Sequence, residues 1–129
     1  MNVLVDTHAW IWSLASPERL SAEARAVLSS RRNVVFLSAA SAWELAIKAA
    51  LGKIELPESV ETFVISRMAR QGITPLPVTH VHALRVSSLP PHHRDPFDRL
   101  LIAQAIVEKL PILTADVAFS RYGIELIQA

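Results

Sequence analysis

Short runs dominated by apolar residues recur along the chain, separated by longer segments whose apolar residues repeat at helical spacing. The short runs predict buried strands at residues 3–5, 34–37, 111–114 and 124–127. Residues 73–78 are interrupted by Pro75 and Pro77 and predict a short irregular strand or an extended link. The chain therefore carries four or five short strands spaced along its length.

Capping residues and glycines delimit helices between these strands. Side chains suited to accept hydrogen bonds from a helix start occur at Ser21, Ser38, Thr79 and Asp95. Helices are predicted over residues 7–14, 22–30, 39–50, 57–71, 80–89 and 96–107, with short helical turns at 16–18 and 117–121. Strands alternating with helices indicate an α/β domain with a mainly parallel sheet.

The predicted helix at 39–50 has the most regular apolar spacing in the chain. Its predicted inward stripe consists of Ala39, Ala42, Trp43, Ala46, Ile47 and Ala50. Glu44 lies beside this stripe, in the second turn of the helix, and its simplest structural role is an ion pair with Lys48.

Composition restricts the class of protein further. The 129 residues suffice for one domain, 1–129, and 51% of them are apolar while 19% are charged. This apolar balance, with a mean hydropathy of +0.31, predicts burial of surface against a partner or a second copy. The absence of cysteine fits a reducing, cytoplasmic compartment. Neither a signal peptide nor a membrane span is expected, because no apolar stretch is long enough.

Four acidic residues fall at matching places relative to the predicted strands. Asp6 directly follows the first strand, and Asp116 comes just after the strand at 111–114. Glu44 and Asp98 lie in the first or second turn of their helices. In a parallel sheet all four positions meet at one edge, beyond the carboxyl ends of the strands, where ligands bind.

Carboxylates crowded in this way repel one another unless a cation separates them. Oxygen ligands without cysteine indicate Mg²⁺ or Mn²⁺, and an open carboxylate site suits phosphoryl chemistry with a metal-activated water. Arg94 and Arg99, beside the acids, are predicted to contact phosphates of a nucleic-acid backbone. Net charge is only +1, but five Arg and four of the five His lie between residues 67 and 99.

Other residues in this region have simpler structural interpretations. Asp95, followed by Pro96, is placed to cap its helix, and Asp98 falls at the third helical position, which suits a capping box. His80 and His82 are predicted to be solvated surface residues rather than ligands.

At four places the chain resembles the successive motifs of PIN-domain ribonucleases, and in particular the VapC-type toxins of toxin–antitoxin pairs. The matching segments are Val-Leu-Val-Asp-Thr at 3–7, Ser-Ala-Ala-Ser-Ala-Trp-Glu-Leu-Ala-Ile-Lys at 38–48, Asp-Pro-Phe-Asp-Arg-Leu-Leu-Ile-Ala-Gln-Ala at 95–105 and Leu-Thr-Ala-Asp at 113–116. Leu-Gly-Lys-Ile at 51–54 also matches a common subgroup. The motifs have the family's order and spacing and span essentially the whole chain.

This resemblance implies a three-layer α/β/α fold and metal-dependent endonucleolytic cleavage of RNA by a homodimer that a small antitoxin protein binds. The residues that match the family's acidic quartet are Asp6, Glu44, Asp98 and Asp116. Asp95 matches an additional acid found in many members and is therefore a possible metal ligand. His8 departs from the Ser or Asn that many members carry. It either hydrogen-bonds a site carboxylate or is a bystander packed by Trp10 or Trp12.

Two other classes of protein place an acid at such a sheet edge. A phosphoaspartyl receiver domain requires a lysine after a late strand, and a HAD-type phosphatase requires a second Asp where His8 stands; the chain offers neither. A non-catalytic interaction module on the same fold is the third alternative, against which the complete acidic quartet argues.

Overall fold

A five-stranded parallel sheet forms the centre of the molecule, for which the computed structural model describes residues 1–129. The strands are β1 Asn2–Val5, β2 Val34–Ser38, β3 Thr74–Leu76, β4 Ile112–Thr114 and β5 Leu126–Gln128. Their order is β3-β2-β1-β4-β5, and every neighbouring pair is parallel. The predicted parallel sheet is confirmed, and the ambiguous segment at 73–78 supplies an edge strand, where a proline is tolerated.

Six α-helices connect the strands, at α1 Thr7–Ala15, α2 Ala22–Ser29, α3 Ala39–Ala50, α4 Val60–Gln71, α5 His80–Arg85 and α6 Pro96–Glu108. Short 3₁₀ turns occupy Pro17–Arg19, Val86–Ser88 and Val117–Tyr122. Helix α4 begins later than the predicted residue 57 because Ser59 is its cap, accepting from the Thr62 amide at 3.3 Å. Helix α5 ends earlier than predicted, and the chain continues as the second 3₁₀ turn.

The two faces of the sheet carry separate hydrophobic cores, because side chains alternate along each strand. Val3 and Val5 of β1 face a core that includes Trp10 of α1 and Phe63 of α4. Leu4, between them, faces a second core formed mainly by α6. Helices thus cover both faces in three layers, and α6 is buried as its apolar sequence predicts.

Helix α3 turns a different face to the interior than its apolar spacing predicts. The buried residues are Ala40, Ser41, Glu44 and Leu45. Trp43, predicted to point inward, is 59% exposed. Ser41 accepts a hydrogen bond from the Thr7 hydroxyl at 2.8 Å, and this polar contact lies on the buried face beside Glu44. The prediction was wrong because it assigned the apolar stripe to the core, whereas the buried face carries two polar residues, Ser41 and Glu44, and Thr7 of α1 hydrogen-bonds to it.

His82 is also placed differently from its prediction as a surface residue. It is 1% exposed, while His80 is exposed as predicted. The Nδ1 atom of His82 accepts from the Thr79 amide at 3.0 Å, which completes a capping box at the start of α5. Its Nε2 atom lies 2.9 Å from a carboxylate oxygen of Glu108 at the end of α6. His82 therefore joins α5 to α6, and hydrogen bonding to both sides makes its burial possible.

None of the helices combines the length and the hydrophobicity that crossing a bilayer requires.

The sheet order places the ends of β1 and β4 side by side. Val5 pairs with Leu113, and the Asp6 amide donates to the Leu113 carbonyl at 3.0 Å. Helix α3 begins directly after β2, the other neighbour of β1. The residues that follow these three strands therefore meet at one edge of the sheet.

Candidate active site

Asp6 lies at the centre of this edge and is almost completely buried. One carboxylate oxygen accepts from the Ala9 amide at 2.7 Å, so Asp6 caps α1. The other oxygen accepts a short hydrogen bond from the Thr114 hydroxyl at the end of β4. Burial raises the pKa of Asp6, and these two hydrogen bonds oppose the rise.

Thr114 connects two acids of the site. Besides donating to Asp6, its hydroxyl accepts from the Asp116 amide at 3.0 Å. Asp116 in turn accepts from the Ala118 amide at 2.9 Å and caps the last 3₁₀ turn. The sequence interpretation treated Thr114 only as the end of a strand. Its position two residues before Asp116 is the one local signal for this role.

Glu44 is buried to 2% exposure in the second turn of α3. Its Oε2 atom accepts from the Lys48 ammonium at 2.6 Å, so the ion pair anticipated from the sequence is present. Its Oε1 atom is also buried and has no hydrogen-bond partner. A buried carboxylate oxygen without a donor is costly, and a bound cation would satisfy it.

Asp95 and Asp98 occupy the start of α6 and differ in role. The Oδ1 atom of Asp95 accepts from the amides of Phe97 and Asp98 at 2.8 and 3.2 Å, which is the predicted helix cap. Burial raises the pKa of Asp98 to about 7, and the charge of Asp95 is the second cause. The charge of His93 lowers this pKa, and Glu44 and Asp6 add smaller contributions that raise it. Charged groups from separate parts of the chain therefore act on Asp98.

His93 lies between two of the acids, a position that the sequence interpretation missed. Its Nε2 atom is 2.9 Å from Oδ2 of Asp116 and 3.1 Å from Oδ2 of Asp98. These three side chains each offer a ligand atom within 4.8 Å of the others. In sequence, His93 was one of several histidines near the acids, and no spacing rule separated it from His92.

The two arginines predicted to contact phosphate have different surroundings. Arg94 is exposed. Arg99 donates from Nη1 to the carbonyls of Pro90 and His93 at 3.0 and 3.2 Å, and from Nη2 to those of Val86 and Leu89 at 3.2 and 3.4 Å. The guanidinium of Arg99 therefore fastens the segment before α6 to the start of that helix.

His8 is exposed on the first turn of α1. Its positive charge lowers the pKa of Asp6, opposing the effect of burial. His8 thus lies within electrostatic reach of the site, and its ring makes no hydrogen bond to a site carboxylate.

The donor set suits a hard divalent cation. Asp6, Glu44, Asp98 and Asp116 offer only oxygen atoms, the ligands that Mg²⁺ and Mn²⁺ prefer. The buried Oε1 atom of Glu44 has no hydrogen-bond partner, and a cation would satisfy it. The pKa of Asp98 is raised to about 7 mainly by burial, and nearby carboxylates add to the rise. A divalent ion held here would bind phosphate oxygens and activate water.

Solved structures of complexes share this fold. The chain superposes with a TM-score of 0.74 on VapBC2 from Rickettsia felis bound to a promoter DNA fragment, at 14% identity over 99% of this chain and 98% of that one. A toxin–antitoxin complex from Klebsiella pneumoniae gives a TM-score of 0.63 at 17% identity, covering 98% of this chain and 96% of that one. At these identities the likeness concerns the fold.

Sequence relationships are more specific. A segment of 60 residues is 50% identical to Ribonuclease VapC16 of Mycobacterium tuberculosis and covers 46% of this chain and 43% of that protein. The match thus spans less than half of this relative. A family model described as the PIN domain matches residues 3–125, which include all the acidic residues of the site. With this match and the fold in agreement, the chain belongs to the PIN domain family.

Proposed function

We propose that this protein is a metal-dependent endoribonuclease and the toxin of a toxin–antitoxin pair. The observation that carries the proposal is that four carboxylates from four segments lie within electrostatic reach of one another at one sheet edge, including a buried Glu44 oxygen without a partner. Membership of the PIN family and the ribonuclease name of a relative that the chain matches over 43% of its length support the choice of RNA as substrate.

Asp6, Asp98 and Asp116 hold the Mg²⁺ or Mn²⁺ ion in this proposal, directly or through water, and Glu44 orients water or a second ion. A bound ion would supply a Lewis acid for the phosphate and would lower the pKa of a bound water. The protein holds the carboxylates in place: Thr114 fixes Asp6 and Asp116, and the α6 cap made by Asp95 fixes the turn that carries Asp98.

Contact with the RNA backbone rests mainly on Arg94. Its side chain is exposed beside the acids, and an arginine offers two donors to one phosphate. Because both terminal nitrogens of Arg99 already donate to carbonyls, that residue serves the RNA indirectly, by holding the segment before α6.

A partner protein and a second copy of the chain are part of the proposal. Large apolar side chains are exposed on several helices, including Trp43 on α3, Ile65 on α4 and Leu84 on α5. A groove of about 360 Å³ between α3 and α4 is lined mainly by apolar residues. Exposed apolar surface of this kind is typical of interaction sites. We assign it to a homodimer and an antitoxin, acting in the cytoplasm.

Of the alternative classes that the sequence suggested, two are excluded and one is not. Membership of the PIN family excludes the receiver and HAD-type phosphatase classes. A non-catalytic module on this fold is separated from a nuclease by the first of the following experiments.

RNA cleavage is expected in the presence of Mn²⁺ and absent in EDTA. Asp98→Asn removes one positioned carboxylate and should reduce the cleavage rate at least ~10²-fold. The measurement is the decay rate of a labelled RNA with antitoxin-free protein. Glu125→Gln, the same chemical change at an exposed site, is the matched control. Full cleavage in EDTA, or full activity of Asp98→Asn, would contradict the mechanism.

Mn²⁺ affinity is expected to rise between pH 6 and pH 8. With the pKa of Asp98 at about 7, the metal must displace a proton at the lower pH. Isothermal titration calorimetry in buffers of different ionisation enthalpy measures this proton release, which Asp98→Asn should remove. Binding that is independent of pH over this range would contradict the coupling between ionisation of Asp98 and metal binding.

Protonation of Asp98 also affects the stability of the metal-free protein. Asp98 ionises near pH 4 in the unfolded chain and at about 7 in the folded one. Between these values the folded state binds more protons, so its free energy of unfolding falls as pH rises and levels off above 7. Urea titrations should show a shallower fall for Asp98→Asn.

Arg94→Ala is expected to weaken RNA binding while leaving Mn²⁺ affinity unchanged. Loss of one phosphate contact should reduce the slope of log K against log salt by about 1. Fluorescence anisotropy in EDTA measures binding without cleavage. Lys53→Ala is the control, since Lys53 is exposed beyond the end of α3 farthest from the site. Equal salt slopes for wild type and Arg94→Ala would refute the contact.

A homodimer is expected in solution without antitoxin. Sedimentation equilibrium at tens of micromolar should give twice the 14.2 kDa mass of one chain. The physical reason is the exposed apolar surface of α3, α4 and α5, whose burial against another copy is favourable. A single species with the mass of one chain would contradict it.

A further inference from the structure

His93 is held in the candidate site by contacts on every side. Its amide donates to the Tyr122 hydroxyl at 2.7 Å, and its carbonyl accepts from Arg99 at 3.2 Å. The ring packs edge-on against Phe119, with centroids 5.7 Å apart, and the side chain is 15% exposed. The imidazole is thus presented to the acids in one fixed orientation.

The contacts of the two ring nitrogens define the tautomer. Nδ1 lies 3.1 Å from the amide nitrogen of Asp95, and because a backbone N–H can only donate, Nδ1 accepts. The ring hydrogen is therefore on Nε2. That atom faces Oδ2 of both Asp116 and Asp98, at 2.9 and 3.1 Å.

We propose, on the basis of the nuclease function above, that His93 is a positioning residue whose Nε2–H orients the carboxylates of Asp98 and Asp116 for the cation. A single donor between two acids brings their oxygens toward a common point and reduces their mutual repulsion. Residues that hydrogen-bond metal ligands in this way commonly contribute 10–100-fold to metal affinity.

The alternative role for His93 is that of a metal ligand, since its ring lies among the acids. Coordination through Nε2 would require its hydrogen to move to Nδ1, which would end the bond from the Asp95 amide. The same Asp95 caps α6 and places Asp98. The observed arrangement therefore favours a donor role and leaves the metal with oxygen ligands.

Calorimetric titration of the full chain with Mn²⁺ tests the role of His93 through affinity. His93→Ala should weaken Mn²⁺ binding ~10-fold or more. In His93→Gln an amide N–H takes the place of the ring donor, and this variant should bind within about 3-fold of wild type. His92→Ala, a change to the exposed neighbour, should have no effect. Thermal unfolding of each metal-free variant establishes that it is folded.

Pulsed EPR of the Mn²⁺-loaded wild type, with histidine labelled in ¹⁵N, tests the role directly. The expected spectrum lacks the coupling of a directly bound imidazole nitrogen. Such a coupling, or an equal loss of affinity in His93→Gln and His93→Ala, would overturn the donor role. Unchanged Mn²⁺ affinity in His93→Ala would refute the role of His93 but not the proposed nuclease function. Failure of the wild type to bind Mn²⁺ would refute the metal-dependent function together with it.

Discussion

The candidate site depends on one constraint, which is that several carboxylates must stay close together, two of them, Asp6 and Glu44, where little water reaches them. The fold meets it with helix starts. Asp6, Asp95 and Asp116 each have extended backbone and cap the helix or turn that comes next, so backbone amides and the helix dipole offset their charge. Glu44 and Asp98 lie inside helices and depend on side chains instead, Lys48 and His93.

Local signals account for most of what the sequence predicted about the fold. Short apolar runs and capping residues lie within a few positions of the element that they define, and four strands, all six helices and the cap at Asp95 follow from them. The edge strand β3 was ambiguous in sequence because Pro75 argues against a strand. Its pairing with β2 shows that it is one. The predicted start of α4 was wrong because both Pro57 and Ser59 are residues that commonly begin a helix. In the structure Ser59 is the cap, since its hydroxyl accepts from the Thr62 amide.

Prediction of the site was limited by contacts between residues far apart in sequence. The acids were recognisable because each follows a strand or a helix start, which is a local property. The hydrogen bond from Thr114 to Asp6 joins residues 108 positions apart in sequence, and the contact of His82 with Glu108 joins residues 26 positions apart. No periodicity reports such pairs, so His82 was assigned to the surface and the position of His93 among the acids was missed.

The orientation of α3 links the site to the surface. Turning Glu44 inward, where the site needs it, turns the neighbouring Trp43 outward, because adjacent helical residues lie about 100° apart around the axis. The exposed ring packs edge-on against Phe97, with centroids 5.1 Å apart, and Phe97 directly precedes Asp98. A protein that covers Trp43 would therefore contact the residue next to a proposed metal ligand. The same rotation that buries the carboxylate thus places exposed apolar surface beside the candidate site.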